Sequence, residues 1–274
     1  MTWMRSRVAR SAGNFRTGIL SILFVGLCYA GAAAPVQWSL AADDEAPELI
    51  LSFTTLDTMV LGDVGLIAGI TWMGPDTLVV LEDIPDSVSD SGNREVRMVF
   101  RDTDGLILRV EDFSGVLDRA LAWDGEFLYS CGDADDGSSI LYQIQVDTLQ
   151  VEEAFDAPGH RPSAMCFDGR YVWISDRDAG RVDRFDPEAG AITRSAVTPG
   201  FSPFGVAWDG RSMWVTDSGT GRLYRLSGSR RHWSATVNTE SFLFRGQDVL
   251  LFHDERTFWY VLPQERVAVK LRFD

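Results

Sequence analysis

Arg119 and Arg161 occupy one point of a repeated sequence frame, each just ahead of a short apolar run that ends in an aromatic residue, RALAW and PSAMCF. Guanidinium groups offer forked donors that match carboxylate and phosphate oxygens, and they repel divalent cations. The corresponding points of the other copies carry Ala68, Phe204 and the turn Arg245-Gly246-Gln247-Asp248; Asp118 precedes Arg119 and Ser163 lies beside Arg161. Arg119, Arg161, Ser163, Phe204 and Gln247 are thus candidate ligand contacts, with Asp118 and Asp248 as candidate partners of the arginines. The chemistry such a set offers is recognition of an anionic group. The competing structural reading is that the same residues form Arg–Asp pairs tying neighbouring repeats together. Nothing in the chain identifies a reaction, and no catalytic residue is assigned.

Other site chemistries lack their residues. His160, His232 and His253 fall in different loops, so no histidine metal cluster is expected. There is no G-x-S-x-G elbow, and DSGTG at 217–221 reads as a hairpin loop. Phosphate-cradling glycine motifs are absent. DADDGSS, Asp133 to Ser139, is one residue short of a calcium-loop register. DIPDSVSDSGNRE, Asp83 to Glu95, is the insertion that lengthens the first repeat. Both are read as solvated loops, and no metal site is assigned.

The elements that position these residues follow from the repeat. GITWMGPDTLVVLED, ALAWDGEFLYSCGD, AMCFDGRYVWISD, GVAWDGRSMWVTD and a fainter DVLLFHDERTFWYVL share one frame, a strand ending in an aromatic anchor, a tight turn and a second strand. The anchors Trp72, Trp123, Phe167, Trp208 and His253 are 51, 44, 41 and 45 residues apart, a period of four-stranded propeller blades. Third and fourth strands follow in alternating segments such as GRVDRFD and AITRSAV. The fifth copy lacks a fourth strand, and ELILSFTTLD, residues 48–57, is available to supply it. The expected fold is therefore all-β, a five-bladed β-propeller whose N-terminal strand completes the last blade, in a single domain over residues 42–274. Asp-Gly pairs at 124–125, 168–169 and 209–210 predict type I′ turns. Trp72, Trp123, Trp208, Trp173, Trp214 and Trp259 recur at two fixed points, where they are expected to pack between sheets. Asp176 and Asp217 end equivalent strands and are expected to cap turns.

Residues 1–41 read as a secretory signal: Arg5, Arg7, Arg10 and Arg16 precede the apolar run Ile19 to Ala34, and no acidic residue appears before Asp43. Ala32, Ala34 and Ala41 are candidate cleavage positions, with Pro35 disfavouring the second. The run is short for a membrane span. Cys28 suggests lipid attachment, but Leu27 stands where that motif takes a small residue, so the expectation is a secreted or periplasmic protein without an anchor or stable membrane span. Loss of this segment moves the net charge from −15 to −19, which disfavours nucleic acid as a partner; the basic cluster Arg230-Arg231-His232 reads as a hairpin tip. Cys131 and Cys166 map to equivalent faces of neighbouring blades, which do not meet, so two unbridged residues are expected.

SPFGVAWDGRSMWVTDSGTGRLYRL and RPSAMCFDGRYVWISDRDAGRVDRFDPEAG resemble the NHL and SMP-30/virginiamycin-lyase-like propeller repeats, closely in two blades and loosely in three. That resemblance implies the fold, because its members include lactonases, lyases and binding modules. GITWMGPDTLVVLED with DTDGLILRV is also similar to the extracytoplasmic propellers called SdiA-regulated. Plant-type glutaminyl cyclases are five-bladed too and carry a Gln-Gly-Leu inner strand and a Glu-Ser-Thr-Gly strand end. Here the first is Ala68-Gly69-Ile70, and Glu82 matches the second, followed by Asp83-Ile84-Pro85. Glu82 joins the candidates through that match. SMP-30-type lactonases hold a divalent ion on oxygen ligands at the channel mouth, so calcium is the cofactor to expect if the protein is an enzyme; the arginine-bearing mouth points to no cofactor. The expected function is an extracytoplasmic module binding a small anionic ligand or a protein at the channel mouth. The alternative is a lyase, lactonase or glutaminyl-cyclase-like enzyme using the same face.

Overall fold

The structure, a computed structural model, describes residues 37–38, 48–50, 53–62, 65–85, 95–114, 116–117, 119–134, 137–159, 161–227, 233–237, 249–252 and 256–274. Pro35–Asp274 forms one compact unit, and the signal-like stretch before it, with Cys28, lies outside the described residues. So do Asp118, Gln247, Asp248, the three histidines, the 230–232 cluster, Asp135–Asp136 and most of the 83–95 loop.

All regular elements among the described residues are strands, in five sheets built on four antiparallel strands each, two of which gain a short parallel strand at the outer edge. From the inside outward, blade 1 is Leu66–Met73, Thr77–Ile84, Glu95–Arg101 and Ile107–Asp112. Blade 2 is Arg119–Trp123, Phe127–Asp133, Ser139–Gln145 and Gln150–Asp156, and blade 3 is Pro162–Phe167, Val172–Asp176, Arg181–Asp186 and Ala191–Val197. Blade 4 is Pro203–Trp208, Ser212–Asp217, Arg222–Ser227 and Trp233–Val237. Blade 5 is Val249–Phe252, Thr257–Leu262 and Val267–Phe273, completed on the outside by the N-terminal strand Phe53–Val60, paired from Val267↔Val60 to Phe273↔Phe53. The fold is the five-bladed β-propeller the repeat predicts.

One boundary differs. The closing strand begins at Phe53, and Glu48–Ile50 instead lies parallel to the outer strand of blade 4, with Ala235 opposite Glu48. Gln37–Trp38 adds in the same way to blade 3 beside Ser195 and Ala196. An outer strand presents a free row of N–H and C=O groups, and the incoming chain meets those of blades 3 and 4 on its way to blade 5.

Five apolar clusters fill the five wedges between blades. Trp259, Ile70 and Val80 lie between blades 5 and 1, Val79, Leu121 and Leu128 between 1 and 2, and Tyr129, Ile174 and Phe185 between 2 and 3. Trp173 and Val206 lie between blades 3 and 4, and Trp214, Phe258 and Leu271 between 4 and 5. Trp214 is 3% exposed and stacks on Phe273 at 5.3 Å between ring centres. The repeat tryptophans are packing residues. Cys131 belongs to the blade 2–3 cluster and Cys166 packs against the blade 3–4 cluster, and the two are not bridged to each other.

The Asp-Gly hairpins are not type I′. Gly125, Gly169 and Gly210 have φ of 109°, 94° and 94°, but the residue after each does not have positive φ, which matches the glycine-first order of type II′. The aspartate decides this. Asp168 Oδ1 accepts the Arg170 and Tyr171 N–H groups and Oδ2 accepts Trp173 Nε1 at 2.7 Å; Asp209 repeats the set with Arg211, Ser212 and Trp214. In blade 2 the Tyr129 hydroxyl takes the tryptophan's place on Asp124.

Candidate functional site

The inner strands of blades 1 to 4 share an irregularity that the sequence does not announce. Pairing with the second strand slips between Ile67 and Gly69, Arg119 and Leu121, Pro162 and Ala164, and Pro203 and Val206. The extra residues are Ala68, Ala120, Ser163 and the Phe204-Gly205 pair. A bulge bends the strand and re-aims side chains, and here it occurs where each inner strand meets the channel mouth. Ala120 takes φ 59°, a left-handed value that costs a non-glycine residue about 1–2 kcal/mol.

In blades 2, 3 and 4 a buried hydroxyl fills the hydrogen-bonding gap the bulge opens. The Ser130 hydroxyl reaches Ala120 O at 3.0 Å, Ser175 Oγ accepts the Ala164 N–H at 3.0 Å, and Thr216 Oγ1 accepts the Gly205 N–H at 2.8 Å. All three residues are fully buried. The aspartates that end these second strands pin the loops. Asp176 Oδ1 accepts the N–H groups of Asp178 and Ala179, and Asp217 Oδ1 those of Gly219 and Thr220, which is the turn capping expected of both. Asp217 Oδ2 also accepts the Ser202 N–H at 2.7 Å. A Cβ on Gly159 would lie 1.4 Å from Asp176 Oδ2, so only glycine lets the loop leading to Arg161 lie against that carboxylate.

These features surround a cavity of about 560 Å³, within the usual range of small-molecule sites. Four sequence candidates, Arg119, Arg161, Ser163 and Phe204, line it together with Ala68. Arg177, Asp133, Gly137, Ile67 and Pro162 complete the lining, and the sequence reading missed Arg177 and used Asp133 only as part of an acidic loop. Arg177 directly follows the capping Asp176 in WISDR, where the second strand returns to the mouth, and its N–H donates to the Arg161 carbonyl at 3.4 Å. Asp133 ends the second strand of blade 2 and pairs with Arg119 at 2.5 Å. Of the pair, the Asp133 side chain is 50% exposed and that of Arg119 17%.

Arg161 and Arg177 make no side-chain hydrogen bond or ion pair with any described residue. Ser163 is committed. Its hydroxyl lies 2.9 Å from Phe204 O and 3.0 Å from Ser175 Oγ, so it ties blade 3 to blade 4, and its hydrogen-bond partners among the described residues include no base to activate it. Glu82 does not line the cavity. It is buried against Arg101 at 3.5 Å, both side chains 8% exposed, and Arg101 also donates to Gly105 O, so the glutamate holds blade 1 together. Among the described residues no group of three His, Cys, Asp or Glu side chains is placed to hold a metal ion, and no helix is long and apolar enough to cross a membrane.

No protein-family profile matches the chain, and no curated protein does. Among solved structures, the glutaminyl cyclase of Myxococcus xanthus is similar over 84% of this chain and 99% of its own, with a TM-score of 0.60 and 9% identity. A structural genomics protein of unknown function from Bacteroides thetaiotaomicron is similar over 81% of this chain and 76% of its own, with a TM-score of 0.51 and 14% identity. At such identities the likeness speaks for the propeller fold, and the chemistry has to be argued from the mouth itself.

Proposed function

We propose that the protein is an extracytoplasmic β-propeller that binds an anionic ligand at its channel mouth without transforming it. The observation that carries this reading is the trio Arg119, Arg161 and Arg177 around one cavity, two of them without a side-chain partner among the described residues, in a chain of net charge −15. Guanidinium groups only donate, so the ligand must bring acceptors, and the local positive field attracts an anion while opposing a divalent ion such as calcium. The location rests on the arginine-led apolar segment at the N-terminus. Kinship with the NHL and SMP-30-like repeats remains part of the proposal and rests on the blade 3 and blade 4 segments. Binding of inorganic phosphate and small carboxylates, followed by NMR titration of the full mature chain, tests the reading. Saturable binding lost in both Arg161→Gln and Arg177→Gln is expected; binding unchanged in both variants, or none at all, would overturn it.

The cyclase neighbour supports a second reading, an enzyme acting at the same mouth. Cyclising a glutaminyl residue requires an amine to attack a carboxamide and a group to manage the proton, and an amine is a donor facing an arginine-rich wall. No ammonia release from a glutaminyl peptide above the uncatalysed rate is expected, and release lost in Asp133→Asn would favour the enzyme.

A further inference from the structure

The cavity has two unlike walls. Arg119, Arg161 and Arg177 come from blades 2 and 3, whereas the half-buried Ala68 of blade 1 and Phe204 of blade 4 bring apolar surface, backed by the buried Ile67 and Pro162. The apolar wall is held in place: the Phe204 carbonyl lies 2.9 Å from Ser163 Oγ and 2.8 Å from Ser175 Oγ, which fixes the backbone that aims the ring. Below it, blades 1 and 2 approach so closely that a Cβ on Gly69 would lie 2.7 Å from the Ala120 backbone, so the Ile67–Ala68 side cannot retreat. A space of about 560 Å³ is far larger than an inorganic anion needs. An ion bound at the arginines would leave the aromatic side facing water.

We infer that the ligand is an amphiphilic carboxylate, an anionic head on an apolar acyl or aryl body, with the head at Arg161 and Arg177 and the body against Phe204 and Ala68. This rests on the anion-binding reading above and adds the class of molecule. Each methylene that leaves water for an apolar wall strengthens binding about fourfold, so a homologous series reports the wall directly.

The test is an NMR titration of the full mature chain with acetate, butyrate and hexanoate, with inorganic phosphate and hexylamine as controls. The expected result is a rise in affinity of about fourfold per methylene along the carboxylates, weak binding of phosphate and none of hexylamine. Phe204→Ala should flatten the series, and Phe204→Leu, which keeps apolar bulk and serves should alanine impair folding, should retain more of the slope; a series as steep in both variants as in the wild type would remove Phe204 from the apolar wall. A flat series in the wild type, with phosphate as tight as hexanoate, would sink the amphiphile and leave anion binding standing. Hexanoate binding that survives both Arg161→Gln and Arg177→Gln, or hexylamine binding equally well, would sink both.

Discussion

The Ser175 hydroxyl lies 2.8 Å from the Phe204 carbonyl, joining a fully buried position of blade 3 to the bulge of blade 4. The same oxygen accepts the Ala164 N–H, so one small side chain satisfies the bulge of its own blade and locates that of the next. The two walls of the cavity are thus set relative to each other by a group that touches no ligand.

Ser175→Ala leaves the Ala164 N–H buried without its acceptor and should cost about 1–3 kcal/mol in urea unfolding. It should also weaken ligand binding in the folded protein. Ser130→Ala removes the equivalent hydroxyl in blade 2 and serves as the comparison. Equal stability of Ser175→Ala and wild type would show the hydroxyl to be dispensable.

Trp214→Ala empties a wedge shared with Phe252 and Phe273 and severs the hydrogen bond to Asp209. A loss of about 3–5 kcal/mol is expected by denaturant titration. If the variant were fully stable yet failed to bind ligand, Trp214 would be a contact surface and not core.

Removal of Phe53–Val60 takes the outer strand from blade 5 and bares Val267–Phe273 as an open edge. The product should aggregate, or melt well below the parent, in scattering and thermal measurements. An unchanged melting curve would mean the ring closes without that strand.

Burial raises the Cys166 thiol above its ordinary 9.0, and the nearby Asp168 charge adds to the effect. Above about pH 9 the unfolded chain therefore loses a proton that the folded chain keeps. Stability should fall as pH rises through that range, with a slope approaching 1.4 kcal/mol per pH unit for this thiol. Tyr129, raised by burial and then by Asp124, adds its own loss above about pH 10. Urea titrations between pH 8.5 and 10 should show a shallower decline in Cys166→Ala; an identical decline would assign the effect to other groups.

The blades were legible because Trp123, Phe167 and Trp208 mark one structural point at nearly constant spacing. Arg119, Arg161 and Phe204 were legible for the same reason, since they precede those anchors in register. Bulges left no mark, because one extra residue in an apolar strand changes facing without changing composition. Arg177 escaped because attention to where inner strands begin ignores where second strands end, although antiparallel pairing puts both at the mouth. Glu82 came from a motif match and not from register. A matching motif letter placed it near a site, and the adjacent strand supplied Arg101 to bury it. The turn type also lay beyond the Asp-Gly letters, since it depends on Asp168 and Asp209 also reaching a tryptophan two strand positions away from the turn.

Closure by an N-terminal strand also sets an order in time. Thr54 bonds Asp274 across 220 residues, so a ribosome adding about 5–20 residues per second makes one partner roughly 10 to 45 seconds before the other. Throughout that interval Phe53–Val60 is a strand with no blade, and the sheet edge it will cover does not yet exist. The last contacts to form are thus also the most distant along the chain, which makes ring closure a slow step of folding and the waiting strand the segment that a holding chaperone would have to shield.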